Sequence, residues 1–135
     1  EAVLECENSS HCDVFIVTTK QARFASAIMT EKANITIPED RLFSQTVSGI
    51  PKTEVLLQLQ KDAAPGAKLI FVEDKMSTLE KVCKRDGLEE WQLILVDWGY
   101  NTVDERERAE AIPRIEVMDV GTFAKMLKEA AEGKA

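Results

Sequence analysis

Residues 68–78 read Lys-Leu-Ile-Phe-Val-Glu-Asp-Lys-Met-Ser-Thr, and the interpretation of the whole chain depends on this stretch. An apolar run, 69–72, ends on the adjacent acids Glu73 and Asp74, and a helix-like pattern follows. This order is typical of a parallel strand whose carboxyl end opens into the crevice where α/β sheets bind ligands. Because neighbouring strand residues point to opposite faces, at most one of the two acids aims into that crevice. Such carboxylates suit Mg²⁺, and a solvated strand-to-helix turn with acids near a helix start is the alternative.

Strand-like and helix-like patterns alternate on both sides of this stretch. Continuous apolar runs predict strands at 13–19, 35–37, 42–45, 92–97 and 114–118. Helical spacing predicts helices at 21–32, from Lys52, at 76–85, at 104–111 and at 120–132, and residues 1–10 resemble the end of another helix. We expect Gly87 to end the helix at 76–85 and Trp91 to anchor a loop. The alternation predicts an α/β, Rossmann-like fold with a mostly parallel sheet covered by helices on both sides.

Composition narrows the class of protein. A chain of 135 residues is long enough for one domain, and we assign residues 1–135 to a single domain. Its 17 basic and 24 acidic residues give a net charge of −7, which argues against a nucleic-acid partner. No apolar run approaches the roughly 20 residues of a membrane span. The three cysteines fit no redox or zinc pattern, so we expect reduced thiols inside a cell.

Three polar groups fall where such a sheet would place a site. Thr18 and Thr19 end the first predicted strand, Lys52 begins a helix after a proline, and Glu73 and Asp74 end the strand at 69–72. A hydroxyl and an ammonium bind phosphate oxygens, and a carboxylate pair holds Mg²⁺. Taken separately, a threonine at a strand end is usually structural and a lysine at a helix start is usually solvated. Their combination indicates phosphate chemistry.

The same segments resemble motifs of the haloacid dehalogenase superfamily. Residues 14–20, Val-Phe-Ile-Val-Thr-Thr-Lys, resemble its second motif, and residues 51–56, Pro-Lys-Thr-Glu-Val-Leu, its third. Residues 71–74, Phe-Val-Glu-Asp, are similar to its fourth motif. Residues 95–102, Leu-Val-Asp-Trp-Gly-Tyr-Asn-Thr, are similar to a segment that follows the fifth strand in phosphatases of this superfamily. The combination looks most like a subgroup from cyanobacteria, algae and plants, and it covers roughly residues 12–127.

The resemblance implies a Mg²⁺-dependent phosphatase of a small phosphate ester, with a role for each matching residue. Thr18, with Thr19 beside it, would bind the transferring phosphoryl group, and Lys52 would neutralise that group and orient the nucleophile. Asp74 would bind Mg²⁺ with Glu73 as a possible partner. Asn101 is a further candidate for substrate binding, at the rim of the site.

One family feature does not occur in this sequence. The superfamily's first motif is a strand ending in Asp-x-Asp, whose first aspartate attacks phosphorus, and none of the 135 residues supplies it. The helical cap that usually follows this motif is absent too. We therefore expect a three-layer, haloacid dehalogenase-like sandwich without its first strand and cap, which is inactive by itself because it lacks the nucleophile. An upstream segment or a second copy in a homodimer could fill the place of that strand.

Two other classes of function stay open at this point. A non-catalytic binding or interaction module would keep the fold, with or without the anion site, and the missing Asp-x-Asp favours it. A receiver-like signalling domain also uses strand-end acids and a lysine, but there the acids come first in the chain and the lysine late. The compartment stays open between the cytoplasm and the plastid.

Overall fold

A computed structural model describes residues 13–18, 41–44 and 51–133 of the chain. These residues form five strands and four helices, which we number in chain order: β1 Ile16–Thr18, β2 Leu42–Ser44, α1 Lys52–Asp62, β3 Leu69–Glu73, α2 Met76–Lys84, β4 Trp91–Val96, α3 Val103–Glu110, β5 Ile115–Met118 and α4 Val120–Ala131. From β2 onward, the predicted strands and helices are all present, with ends that differ by at most one residue. The segments predicted at 1–10, 21–32 and 35–37 lie outside the described residues.

The strands form two separate parallel sheets. Strands β1 and β2 pair in one sheet, with Thr18 in register with Ser44. Strands β3, β4 and β5 form the other in that order, with Glu73 in register with Leu95 and Val96 in register with Met118. Helices follow β3, β4 and β5 along the chain, so the α/β class with parallel strands is confirmed.

The described residues divide into two compact units. One contains the residues up to Val55 and those from Lys125 onward, and the other spans Leu56–Ala124. In the first unit, Arg41 lies 2.8 Å from the Asp13 carboxylate and stacks above the ring of Phe15. The prediction of a single domain over residues 1–135 stays a prediction.

The core of the second unit lies around the three-stranded sheet. Strand β4 is buried at five of its six positions, as expected for the central strand of a parallel sheet. Helix α2 places Met76, Leu79 and Val82 three residues apart on one buried face. The buried apolar cluster consists of Leu56, Phe71, Met76, Leu79, Val82, Leu88, Trp91, Leu93, Leu95, Ala109 and Ile115.

Two details of the prediction are wrong. Trp91 does not anchor a loop: it is the buried first residue of β4, in register with Leu69, and its indole N–H donates to Gln60 Oε1 at 2.9 Å. Gly87 does not end α2, because the helix ends at Lys84. Instead, Gly87 occupies the following turn with a φ of +97°, which a residue without a side chain adopts readily. Its carbonyl accepts a hydrogen bond from the same Gln60 side chain.

Among the described residues, no helix is both long enough and apolar enough to cross a membrane.

Candidate functional site

The candidate site lies at the carboxyl edge of the three-stranded sheet. Because β3, β4 and β5 run parallel and in register, their last residues reach the same edge. The first residue after each strand is an aspartate: Asp74 after β3, Asp97 after β4 and Asp119 after β5. The fold therefore brings carboxylates to the end of the sheet where α/β proteins bind ligands.

Glu73 and Asp74 have different surroundings, as their neighbouring positions on the strand predict. Glu73 is the last residue of β3 and is only 7% exposed. Among the described residues, it is the one charged residue that is buried. Its Oε1 accepts a hydrogen bond from the Lys75 N–H at 3.3 Å. A buried carboxylate requires such polar partners, since burial without them is costly. Asp74 is half-buried and lies just beyond the strand.

The Asp74 carboxylate is held by one of its two oxygens. Oδ2 accepts the Tyr100 N–H at 3.1 Å. For Oδ1, no hydrogen-bond partner occurs within the ranges 13–18, 41–44 and 51–133. One oxygen is thus oriented by the backbone, while the other has no protein partner within those ranges.

The loop between β4 and α3, residues 97–102, lies directly against Asp74. A Cβ atom built on Gly99 would come within 2.3 Å of the Asp74 Cβ and 2.8 Å of its Oδ2. Only glycine therefore fits this approach without a shift of the backbone. The close approach brings the next residue, Tyr100, to the position from which its N–H reaches Asp74.

Asn101 connects this loop to the ends of two strands. Its Nδ2 donates to the Asp74 carbonyl oxygen at 2.9 Å and to the Val96 carbonyl oxygen at 2.7 Å. Arg106, on α3, donates through Nη1 to Asn101 Oδ1 at 2.7 Å and to the Asn101 carbonyl oxygen at 3.3 Å. We call this pair the Arg106–Asn101 bridge. Both polar atoms of the Asn101 amide are engaged within the protein.

Helix α3 buries only one residue, Ala109, so packing contributes little to fixing where it begins. Local hydrogen bonds at its first turn do so instead. The Thr102 hydroxyl accepts the Glu105 N–H at 3.2 Å, and the Glu105 carboxylate accepts the Thr102 N–H at 3.0 Å. This reciprocal pair is a capping box. It fixes the first turn of the helix and with it the position from which Arg106 reaches Asn101.

Two aromatic side chains of the same loop are exposed. Trp98 is 48% exposed and Tyr100 is 83% exposed. The Trp98 ring packs at a tilt against Phe123 of α4, with 5.6 Å between ring centroids. The rim of the carboxylate site is therefore aromatic.

Asp119 is used within the fold. Its Oδ1 accepts the Thr122 N–H at 2.7 Å, which caps the start of α4. Hydrogen bonds from the Thr122 backbone and side chain lower the pKa of the Asp119 carboxyl below its usual range. Of the three strand-end aspartates, Asp119 is thus committed to capping, whereas Asp74 accepts a hydrogen bond from the loop after the next strand.

The structure brings together Glu73, Asp74 and Asn101 of the predicted site residues. Thr18 is the last residue of β1, and Lys52 is the first residue of α1; both belong to the other compact unit. Thr19 lies outside the described residues. The substrate-binding role of Asn101 stays a prediction, although its described contacts link it to the strand ends.

The donors present fit a Mg²⁺ ion better than a metal that needs a full set of protein ligands. Within the described ranges, no group of three or more histidine, cysteine, aspartate or glutamate side chains could hold a metal. Mg²⁺ is usually held by one or two carboxylates and otherwise by water and phosphate oxygens. Asp74, with Glu73 beside it in sequence, supplies a donor set of that kind.

The sequence analysis gave no site role to Gly99, although it lies in the segment 95–102, or to Arg106, which follows that segment. A glycine between two aromatic residues just after a strand is a signal for close backbone approach. The role of Arg106 has no comparable local signal, since its partner is set by the fold of the loop. Comparison of the chain with family models, with curated proteins and with solved structures gave no match.

Proposed function

We propose that this chain is part of the core of a Mg²⁺-dependent, haloacid dehalogenase-like phosphatase that acts on a small phosphate ester. The observation that carries the proposal is Asp74, at the carboxyl edge of a parallel sheet, with one carboxylate oxygen oriented by the Tyr100 N–H. A carboxylate held in this way is pre-organised for a cation. The motif resemblance supports the choice of phosphate as the ligand.

Asp74 would hold the metal ion in this proposal, directly or through water, with Glu73 as its candidate partner. Bound Mg²⁺ supplies positive charge that offsets the charge of a transferring phosphoryl group. By the motif resemblance alone, Lys52 would add a positive charge for the phosphoryl oxygens, and the hydroxyls of Thr18 and Thr19 would donate hydrogen bonds to them.

The reaction also needs a nucleophile from outside the 135 residues. No Asp-x-Asp sequence occurs in them, so the covalent aspartyl-phosphate route is not available to this polypeptide alone. Among the described strands, β3 pairs only with β4. We propose that a strand from an upstream segment, or from a second copy in a homodimer, pairs with the other edge of β3 and brings the nucleophile. In this proposal the complete fold is a three-layer sandwich.

The second candidate is a non-catalytic binding or interaction module with the same fold. The absence of Asp-x-Asp from the 135 residues favours it. Such a module would keep Mg²⁺ and phosphate binding at Asp74 and Lys52 but would not require a nucleophile from another segment. For either candidate, the unpatterned cysteines support an intracellular compartment, the cytoplasm or the plastid.

Hydrolysis of para-nitrophenyl phosphate with Mg²⁺, together with the intact mass of the purified protein, separates the two candidates. A co-purifying segment and an activity that Asp74→Ala abolishes would support the phosphatase. A single 15.1 kDa species that binds Mg²⁺ without turnover would support the binding module. Turnover by that single species would show that the nucleophile lies within these residues, against the proposal.

A further inference from the structure

The Arg106–Asn101 bridge lies next to Asp74, and the proposed function does not use it. The guanidinium donates twice to one residue, Asn101, at 2.7 Å to the side-chain oxygen and 3.3 Å to the backbone oxygen. Hydrogen bonds from a charged donor are roughly twice as strong as neutral ones. The bridge is also half-buried, so solvent competes with it less than with a surface contact.

Arg106 determines which way the Asn101 amide faces. Because the guanidinium can only donate, it requires the oxygen of the amide, and the Nδ2 group then points to the opposite side. There it donates both hydrogens, one to Val96 and one to Asp74. If the amide were reversed, its oxygen would face two carbonyl oxygens, which is repulsive. Arg106 therefore selects the one orientation that ties the end of β4 to the residue after β3.

The tie reaches the Asp74 carboxylate through the neighbouring residue. Asn101 follows Tyr100, whose N–H holds Asp74 Oδ2 at 3.1 Å. With the Asp74 backbone held by Asn101 and its Oδ2 held by Tyr100, the direction of Oδ1 is set. We propose that Arg106 is a positioning residue, which acts through Asn101 to orient the Asp74 carboxylate toward a divalent cation. The cation part of this inference rests on the proposed function.

The charge of Arg106 and its positioning of Asp74 should change cation affinity in opposite directions, so the direction of the change tests the inference. A positive guanidinium near a cation site repels the cation, so its removal should tighten cation binding if Arg106 acted only electrostatically. If Arg106 positions Asp74, its removal should weaken binding. The loss of a group that supports a metal ligand typically lowers metal affinity by about 10–100-fold.

Arg108 provides a matched control on the same helix. It lies two residues from Arg106, is 59% exposed in its side chain, and pairs with Glu80 at 3.4 Å. Arg108→Gln removes the same charge as Arg106→Gln but leaves the bridge intact. Arg106→Lys tests rescue, because lysine keeps the charge and can donate to Asn101 Oδ1 but lacks the planar fork.

The experiment uses the full chain and two readouts. The first is Mg²⁺ affinity by calorimetry, with Tb³⁺ luminescence sensitised by Trp98 and Tyr100 as a spectroscopic check. We expect Arg106→Gln to weaken binding about tenfold, Arg106→Lys to recover part of the loss, and Arg108→Gln to leave affinity unchanged or slightly tighter. Binding by Arg106→Gln that is equal to or tighter than that of Arg108→Gln would overturn the inference.

The second readout is hydrogen exchange at the Tyr100 amide, which does not depend on a metal. We expect Arg106→Gln to lower the protection of this amide, while Arg108→Gln does not, at equal global stability in urea. If the wild-type chain binds neither Mg²⁺ nor Tb³⁺, the proposed function fails, but lost Tyr100 protection would still support the positioning of Asp74. Unchanged Tyr100 protection in Arg106→Gln would overturn it whatever the metal result.

Discussion

Replacing Gly99 with alanine places a new carbon 2.3 Å from the Cβ of Asp74. Non-bonded carbons pack at about 3.5–4.0 Å, so the two atoms must separate by more than about 1 Å. Both are attached directly to backbone, so loop 97–102 must move away from β3. Overpacking of this kind costs about 1–3 kcal/mol. The move also weakens the partly exposed bond from the Tyr100 N–H to Asp74, for which we add about 0.5–1 kcal/mol.

The expected loss for Gly99→Ala is therefore about 1.5–4 kcal/mol of unfolding free energy. At about 4 °C per kcal/mol for a chain of this size, the melting temperature should fall by about 6–16 °C. Urea unfolding followed by tryptophan fluorescence measures the free energy, and calorimetry measures the melting temperature. Mg²⁺ affinity should fall as well, since Asp74 Oδ2 loses its backbone partner.

Gly121→Ala is the matched control for Gly99→Ala. Gly121 lies in the first turn of α4, and the nearest atom to an added Cβ is 3.6 Å away, an ordinary contact. Because alanine is the better helix former, this change should stabilise the protein by up to about 1 kcal/mol. If Gly99→Ala unfolds within about 0.5 kcal/mol of the wild type, against the overpacking range, then the close approach does not constrain the loop.

Three further substitutions test local features of the fold. Gln60→Leu leaves the Trp91 indole N–H without its acceptor and should lower the free energy of unfolding, measured in urea, by about 1–2 kcal/mol. Gln58→Leu, at an exposed position of the same helix, is the control, and equal losses in the two variants would contradict the role of Gln60. Thr102→Ala should cost about 1 kcal/mol, and Thr102→Ser should not, because serine keeps the hydroxyl of the capping box; equal melting temperatures would refute that cap. Because the pKa of Asp119 is lowered in the folded state, its contribution to stability is present above its unfolded pKa and lost as pH falls through the folded value. Asp119→Asn should therefore flatten the acid limb of the stability–pH curve, and an unchanged limb would contradict this.

The strands and helices from Lys52 onward follow from local sequence signals. The run at 69–72 and the acids after it predicted both β3 and the edge of the sheet. Consecutive apolar residues indicate a buried strand, and the change to charged residues marks its end. Trp91 shows where this reasoning fails. It follows an acidic, polar stretch, and the acceptor that satisfies its buried indole N–H, Gln60, lies 31 residues earlier in the chain.

The acidic residues of the candidate site could be predicted from the sequence, but the residues that hold Asp74 in place could not. Asp74 was found because a strand-end carboxylate has a local pattern. Its partners Tyr100, Asn101 and Arg106 lie beyond the next strand, and their contacts exist only because β4 pairs beside β3. The Thr102 capping box, by contrast, has a short signature that sequence reasoning can detect.

The central proposal, that Asp74 holds Mg²⁺, is tested most directly by calorimetric titration of Mg²⁺ into the full 135-residue chain and two variants. Asp74→Asn and Asp97→Asn remove the same charge from the first position after neighbouring strands, β3 and β4. We expect Asp74→Asn to abolish measurable binding and Asp97→Asn to retain it within about twofold, since loss of an exposed charge alone has a small effect. Equal binding by the wild type and Asp74→Asn, or an equal loss in both variants, would contradict the proposal.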